Sequence, residues 1–210
     1  MTPRDLPNAD KLDPSSVADV PEPDRRRFIE EATRLAIESV EKGWGGPFGA
    51  VIVKDGAIVG RGQNRVLLTG CPVYHAETTA IMDACQRLNP KAPLGSGASA
   101  GTTLELIPRA PGSHDPMSER ARMLKGCEIY INAALCPMCM SAIYWARIDR
   151  VVFGASLEDA RSIGFDDAFQ YEDFALAWPE RRIPVTAECG RDIGLTAFEA
   201  WMRKTDRHPY

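Results

Sequence analysis

Two short stretches decide how this sequence is interpreted: residues 75–77 read His-Ala-Glu, and residues 136–139 read Cys-Pro-Met-Cys. One imidazole and two thiolates form a ligand set that suits zinc. Three protein ligands leave the fourth tetrahedral position open, which is typical of catalytic zinc sites, whereas structural sites usually fill all four. The pattern therefore predicts a catalytic zinc held by His75, Cys136 and Cys139.

Glu77 lies two residues after the histidine, where its carboxylate can lie beside the open position without binding the metal. Zinc lowers the pKa of the water it binds to about 7, and a nearby carboxylate can move the released proton to a substrate nitrogen. Alone, the Cys-x-x-Cys pair also fits a redox pair or a structural zinc site. Together the two stretches approach the H-x-E and P-C-x-x-C signature of zinc deaminases, with Leu135 in place of its proline.

The segments around these stretches alternate between helical and strand patterns. Apolar residues at helical spacing predict a helix that starts at Arg25 after an Asp24 cap, and a second helix from His75 to Leu88. Further helices are predicted at 137–147 and 195–203, and strands at 50–54, 57–60, 127–131, 151–153 and 184–186, the last as an edge strand. This order predicts an α/β fold, a three-layer α/β/α sandwich with a mixed central sheet.

Length and composition indicate one globular domain. The chain has 210 residues, of which 44% are hydrophobic and 26% charged, so it can bury a sizeable core. We expect a flexible arm at 1–22, followed by a single domain at 23–210. The stretch 89–126 is rich in glycine and proline without a clear pattern, and we interpret it as an insertion in that domain.

Charge and cysteine usage limit the partners and the location. The net charge of −4 argues against a large nucleic-acid-binding surface, which needs clustered Lys and Arg. No apolar run approaches the roughly 20 residues that a membrane span requires. The polar start of the chain has no signal-peptide pattern, so we expect the 6 cysteines to be thiols in the cytoplasm.

Beyond the metal motif, the chain resembles the cytidine-deaminase-like superfamily and, within it, the bacterial guanine deaminases. The stretches that carry the resemblance are 45–56, 62–64, 136–139, 142–147, 164–167 and 198–201, with the terminal Tyr210. The Gly-Phe-Asp-Asp stretch at 164–167 and the aromatic C-terminus are the more selective ones. The resemblance implies a cytidine-deaminase-like fold and a zinc-dependent aminohydrolase that converts a free purine base, above all guanine, to xanthine and ammonia.

The resemblance also implies roles for individual residues, with Glu77 as the proton shuttle. Asn64 would hydrogen-bond the purine, Phe48 and Trp145 would wall its ring, Asp167 would accept from its N–H edge, and Tyr210 would close the pocket. Considered alone, Asp167 could simply cap a helix, Trp145 could be a core residue, and Tyr210 could be a frayed end. The implied assembly is a homodimer with swapped C-terminal segments that cover the active sites.

Departures from the family lie around the pocket rather than in the catalytic set. Leu135 stands where proline is usual, and the large Tyr74 stands before His75 where a small residue is usual. An altered substrate is therefore an open alternative: cytosine, an aminotriazine, a pterin or a purine nucleoside. Deamination of adenosine in transfer RNA and a non-catalytic zinc scaffold are the further alternatives.

Overall fold

A computed structural model of the chain describes residues 22–88 and 124–205. The first half of this region contains α1 (Glu22–Glu41), β1 (Gly49–Lys54), β2 (Ala57–Gln63), α2 (Val66–Thr69) and α3 (Ala76–Leu88). The second half contains β3 (Cys127–Ala133), α4 (Pro137–Ala146), β4 (Arg150–Ala155), α5 (Leu157–Ser162), α6 (Ala168–Ala175) and α7 (Arg191–Arg203), with a 3-10 turn at Trp178–Glu180.

The four strands form one mixed sheet in the order β2-β1-β3-β4. β1 is antiparallel to both β2 and β3, whereas β3 and β4 are parallel. Asp55 and Gly56 form the turn between β1 and β2 with φ values of 49° and 74°, the backbone region that a tight hairpin turn requires. The strands predicted at 50–54 and 57–60 are thereby confirmed, and they form a hairpin.

Helices cover both faces of the sheet, because alternate strand residues are apolar on both sides. On one face, α1 packs through Phe28 and Leu35 onto Val51, Val53 and Tyr130. On the other face, α3 and α4 enclose the larger core, which includes Ala50, Ile52, Ala76, Ala80, Ile129, Ile131, Cys139 and Ile143. The predicted three-layer α/β/α sandwich with a mixed sheet is confirmed.

Glycines let both major helices approach the sheet closely. A β-carbon at Gly62 of β2 would lie 2.1 Å from the carbonyl oxygen of Ala76, the first residue of α3. A β-carbon at Gly49 of β1 would likewise lie 2.1 Å from the carbonyl oxygen of Ala32 in α1. The first turn of α3 therefore packs directly on β2. This contact fixes the distance between the sheet and the residues that begin the helix.

Several boundaries differ from the sequence-based predictions. The backbone is already helical at Glu22, so Asp24 lies inside α1 and is not its cap. Residues 184–186 are not a strand, and within the described part of the chain no strand lies beside them. Most of the predicted arm at 1–22 and of the insertion at 89–126 lies outside the described residues, but Leu124 is fully buried in the core. None of the described helices is long and apolar enough to cross a membrane.

Candidate active site

The predicted metal ligands converge at the adjacent ends of two helices. His75 immediately precedes α3, Cys136 is the N-cap residue of α4, and Cys139 lies in the first turn of α4. The Nδ1 atom of His75 lies 3.6 Å from the Sγ atom of Cys136 and 3.5 Å from that of Cys139. All three ligand atoms lie within 4.8 Å of one another.

These distances fit zinc. Zinc–nitrogen bonds of about 2.05 Å and zinc–sulfur bonds of about 2.3 Å, at a tetrahedral angle, separate nitrogen and sulfur by about 3.6 Å. Cys136 and Cys139 are both buried, and the His75 imidazole is partly buried, so the ligands face the protein interior rather than bulk water. The three residues therefore form a metal site with the donor set, spacing and surroundings that zinc requires.

The electrostatics of the two thiols also favour a cation. The hydrogen bond from the Cys139 thiol and the neighbouring His75 imidazole lower the pKa of Cys136 to about 4, despite its burial. The adjacent sulfur of Cys136 and burial in turn raise the pKa of Cys139. Metal ligation requires both sulfurs as thiolates, so binding of a metal ion would release a proton from this pair.

Glu77 lies in the first turn of α3, two residues after the imidazole ligand, and its side chain is buried. Burial raises the pKa of its carboxyl above the ordinary value, and the negative charge of Cys136 adds to the increase, while its own backbone N–H and His75 lower it in part. A carboxyl group in this setting can both accept and release a proton, as a general acid–base residue must.

Asn64 is buried directly after β2 and is held on several sides. Its backbone N–H donates to the Phe48 carbonyl at 3.0 Å, and its own carbonyl accepts the Ser39 hydroxyl at 2.6 Å. Its Oδ1 atom accepts the Val66 N–H at 3.1 Å. Within residues 22–88 and 124–205 its Nδ2 atom donates no hydrogen bond to the protein, so the side chain is oriented while one donor group is left for a ligand.

Phe48 is half-buried and packs against Phe165, with ring centroids 4.9 Å apart and an interplanar angle of 87°. Gly46 makes room for this pair, because a β-carbon there would lie 2.9 Å from Cζ of Phe165. Phe165 belongs to the Gly-Phe-Asp-Asp stretch but was not among the residues predicted to form the site. The contact joins the loop before β1 to the loop before α6, which have no local relationship in the sequence.

Asp167 occupies the N-cap position of α6, but its side chain makes no capping hydrogen bond. Oδ1 of Asp166 accepts the Ala168 N–H instead, at 3.1 Å. The Asp167 carboxylate accepts a hydrogen bond from Nε2 of Gln170 at 3.0 Å. Burial and the negative charge of Cys136 raise the pKa of the Asp167 carboxyl, while His75 lowers it. The alternative that Asp167 merely caps the helix is wrong.

The remaining predicted residues have different outcomes. Trp145 of α4 is 61% exposed, so the alternative that it is a core residue is wrong, and its proposed role as a ring wall stays a prediction. Tyr210 lies outside the described residues. Tyr74 is half-buried, and its carbonyl accepts the Arg65 N–H at 2.9 Å. Leu135 is buried, and its carbonyl accepts the hydroxyl of Tyr171 at 2.6 Å.

A family model, a relative in sequence and a solved structure all indicate the same family. Residues 23–155 match the family described as the cytidine and deoxycytidylate deaminase zinc-binding region. A guanine deaminase from Bacillus subtilis (strain 168) is 37% identical over 183 residues, which cover 87% of this chain and 97% of that protein. The X-ray structure of guanine deaminase from Bacillus subtilis superposes with a TM-score of 0.67 at 36% identity, covering 88% of this chain and 98% of that chain.

A second group of relatives is similar over a shorter region. A tRNA-specific adenosine deaminase from Aquifex aeolicus (strain VF5) is 34% identical over 128 residues, which cover 61% of this chain and 64% of that protein. The similarity to the guanine deaminase is therefore both higher in identity and longer.

Proposed function

The chain belongs to the cytidine and deoxycytidylate deaminase family and is a zinc-dependent aminohydrolase, and from this premise we propose that its substrate is guanine, which it converts with water to xanthine and ammonia. The observation that carries this proposal is the 37% identity to a guanine deaminase across 97% of that protein's length. The relative that acts on transfer RNA aligns over only 128 residues. A free purine base is also consistent with the negative net charge of −4.

We assign the proton transfers to Glu77. When bound by His75, Cys136 and Cys139, zinc supplies Lewis acidity and makes a water molecule reactive at neutral pH. The Glu77 carboxylate takes a proton from the attacking water and delivers it to the ring nitrogen beside the reacting carbon. It then takes the second proton of that water from the hydroxyl now on the reacting carbon and passes it to the departing amine. The C–N bond breaks, ammonia leaves as a neutral molecule, and the carboxylate is restored.

Recognition of the base is assigned to residues around the metal site. The free Nδ2 donor of Asn64 and the Asp167 carboxylate supply a donor and an acceptor for in-plane hydrogen bonds to the purine, and Phe48 supplies an apolar face. Trp145 is proposed to form a second wall of the ring, and Tyr210 is proposed to close the pocket. A base that lacks the partner for Asp167 would leave a half-buried carboxylate unpaired, which gives selectivity.

A substrate panel tests this proposal. Purified zinc-loaded protein is mixed with guanine, cytosine, adenine, guanosine, an aminotriazine, a pterin and transfer RNA, and ammonia release is measured for each. We expect guanine to be preferred by orders of magnitude in kcat/KM. Turnover of another member with guanine inert would reassign the substrate, and turnover only of adenosine in transfer RNA would favour the function of the shorter-aligning relatives.

We also propose that the protein is a cytoplasmic homodimer in which the C-terminal segment that follows α6 covers the partner's active site. Each chain is proposed to form a single domain at residues 23–210. The support for the dimer is the surface of residues 157–205, among which only Ala160 and Asp173 are buried. Helix α7 contains no buried residue, and its apolar side chains Ile193, Phe198, Trp201 and Met202 are exposed. Apolar surface of this extent is typical of a protein–protein interface.

A further inference from the structure

Helix α6 is attached to the metal site by one long-range hydrogen bond. The hydroxyl of Tyr171 donates to the carbonyl oxygen of Leu135 at 2.6 Å, across 36 residues of sequence. Leu135 is the residue immediately before Cys136, the first sulfur ligand. The contact therefore joins α6, most of whose residues are exposed, to the buried stretch that carries the two sulfur ligands.

The chemistry of the phenol suits this role. Burial and the neighbouring negative charges, first that of Cys136 and then that of Asp167, raise the pKa of Tyr171 above its ordinary value. The hydroxyl therefore keeps its proton at neutral pH and can donate it to the carbonyl. The side chain of Tyr171 is 39% exposed, and its hydroxyl reaches the carbonyl of the residue before Cys136.

Tyr171 shares a helix face with Asp167. The two residues are four positions apart at the start of α6, and residues at this spacing lie one above the other on a helix. Gln170, one residue earlier, donates to the Asp167 carboxylate at 3.0 Å. Two consecutive residues of α6 thus have different roles. Tyr171 attaches the helix to the loop before Cys136, and Gln170 orients the Asp167 carboxylate on that helix.

We propose that Tyr171 is a positioning residue for substrate selection: its hydrogen bond to Leu135 holds α6 in place, and so sets the distance from the Asp167 carboxylate to the metal site. The inference rests on the proposed function, because it assigns Asp167 to the purine.

The test variant is Tyr171→Phe. Its control is Tyr144→Phe, which removes the same hydroxyl from a tyrosine on α4 that is 59% exposed. A neutral hydrogen bond corresponds to about a 3- to 10-fold effect on an equilibrium. We therefore expect Tyr171→Phe to raise KM for guanine about 3- to 10-fold, with kcat changed less than about 2-fold and with zinc content unchanged. Tyr144→Phe should match the wild type in all three quantities. Equal KM values for the two variants would overturn the proposal.

A double-mutant cycle tests whether Tyr171 acts through Asp167. In an Asp167→Asn background the carboxylate is gone, so adding Tyr171→Phe should change KM by less than about 2-fold. An unchanged effect of Tyr171→Phe in that background would show that the hydroxyl acts by another route, and the assignment would fail.

Hydrogen exchange separates this proposal from the proposed function. Peptides covering 168–175 should exchange faster in Tyr171→Phe than in the wild type, while peptides covering α4 should not change. If the wild type does not deaminate guanine, the proposed function fails, and the cycle is run on the preferred substrate of the panel. Unchanged protection of α6 in Tyr171→Phe would overturn the positioning role whatever the substrate is.

Discussion

Gly45 and Asn64 are in such close contact that a β-carbon on Gly45 would lie 2.0 Å from Oδ1 of Asn64. It would also lie 2.9 Å from the carbonyl oxygen of the same residue. The absence of a side chain at position 45 is therefore what allows the Asn64 carboxamide to keep its orientation and its hydrogen bond to the Val66 N–H.

We predict that Gly45→Ala displaces the Asn64 side chain and weakens binding of the base. The loss of one good hydrogen bond to a buried polar group should raise KM for guanine by about 10-fold or more. Steady-state kinetics with the zinc content measured in parallel is the readout. In an Asn64→Ala background the same change should have little further effect, and a full additional effect there would contradict the mechanism.

Replacing Glu77 with glutamine should separate metal binding from proton transfer. The amide is nearly isosteric, but it cannot carry a proton, so kcat should fall by at least about 100-fold. Zinc content and the melting temperature should stay near those of the wild type, because Glu77 is not one of the three ligands. Ammonia release and atomic absorption on the same preparation give both numbers, and turnover within 10-fold of the wild type would remove Glu77 from its role.

Loss of a sulfur ligand should abolish zinc binding and lower the stability of the fold. Cys139 is fully buried, so Cys139→Ser leaves two good ligands in a site built for three. We expect loss of zinc, loss of turnover and a lower melting temperature, since a metal that binds only the folded chain stabilises it. Cys189→Ser, at an exposed cysteine, is the matched control and should retain zinc. Chelation followed by added zinc should abolish and then restore activity in the wild type.

An ion-pair cluster between α1 and β2 predicts how the stability of the fold changes at acidic pH. Hydrogen bonds from Arg34, and then from Arg61, lower the pKa of Glu31 from 4.5 to about 2, against the effect of burial. Because the folded pKa lies below the unfolded one, this stability is complete above about pH 4.5 and is lost as the pH falls towards 2. Glu31→Gln should reduce the free energy of unfolding at pH 7 by about 1 kcal/mol, since the arginines are solvent-exposed.

The measurement for this prediction is urea unfolding of the two proteins at pH 7, 4 and 3. The difference between wild type and Glu31→Gln should shrink as the solution becomes more acidic. A difference that stays constant over this range would mean that Glu31 stabilises the fold through packing rather than through its charge.

Helix α7 provides a test of assembly. Phe198 is 68% exposed in one chain, so a charge there is harmless to a monomer but destabilises an apolar interface. We expect Phe198→Glu to shift the sedimentation of the protein from a two-chain to a one-chain species. Glu199→Gln, one residue later on the same helix, should leave the assembly unchanged, and a wild type that sediments as a single chain would refute the dimer.

The sequence was most informative where chemistry constrains local spacing. The ligands His75, Cys136 and Cys139 and the neighbouring Glu77 could be identified because zinc deamination needs these residue types at these intervals. The strands that contain Ile52 and Ile129 could be identified because buried strands need apolar runs. Each signal lies within a stretch of a few residues, although the two stretches that form the metal signal are 61 residues apart.

Contacts between distant segments could not be predicted in this way. The hydrogen bond from Tyr171 to Leu135 spans 36 residues, and neither residue type is unusual in its local context. Asp166 and Asp167 are indistinguishable in the sequence, although only the first caps α6. Residues 184–186 have strand-forming composition, but strand formation also needs a neighbouring strand, which composition does not encode.

The close seating of α3 on β2 at Gly62 has a consequence for how this scaffold can change. The positions of His75 and Glu77 are fixed by the contact of α3 with the sheet. The positions of Phe48, Phe165 and Asp167 are instead set by connecting loops and by the start of α6. With the roles proposed above, reactivity and selectivity depend on separate parts of the fold. Libraries that randomise 43–48 and 163–171 should therefore be able to explore new heterocycles while leaving the hydrolytic machinery intact.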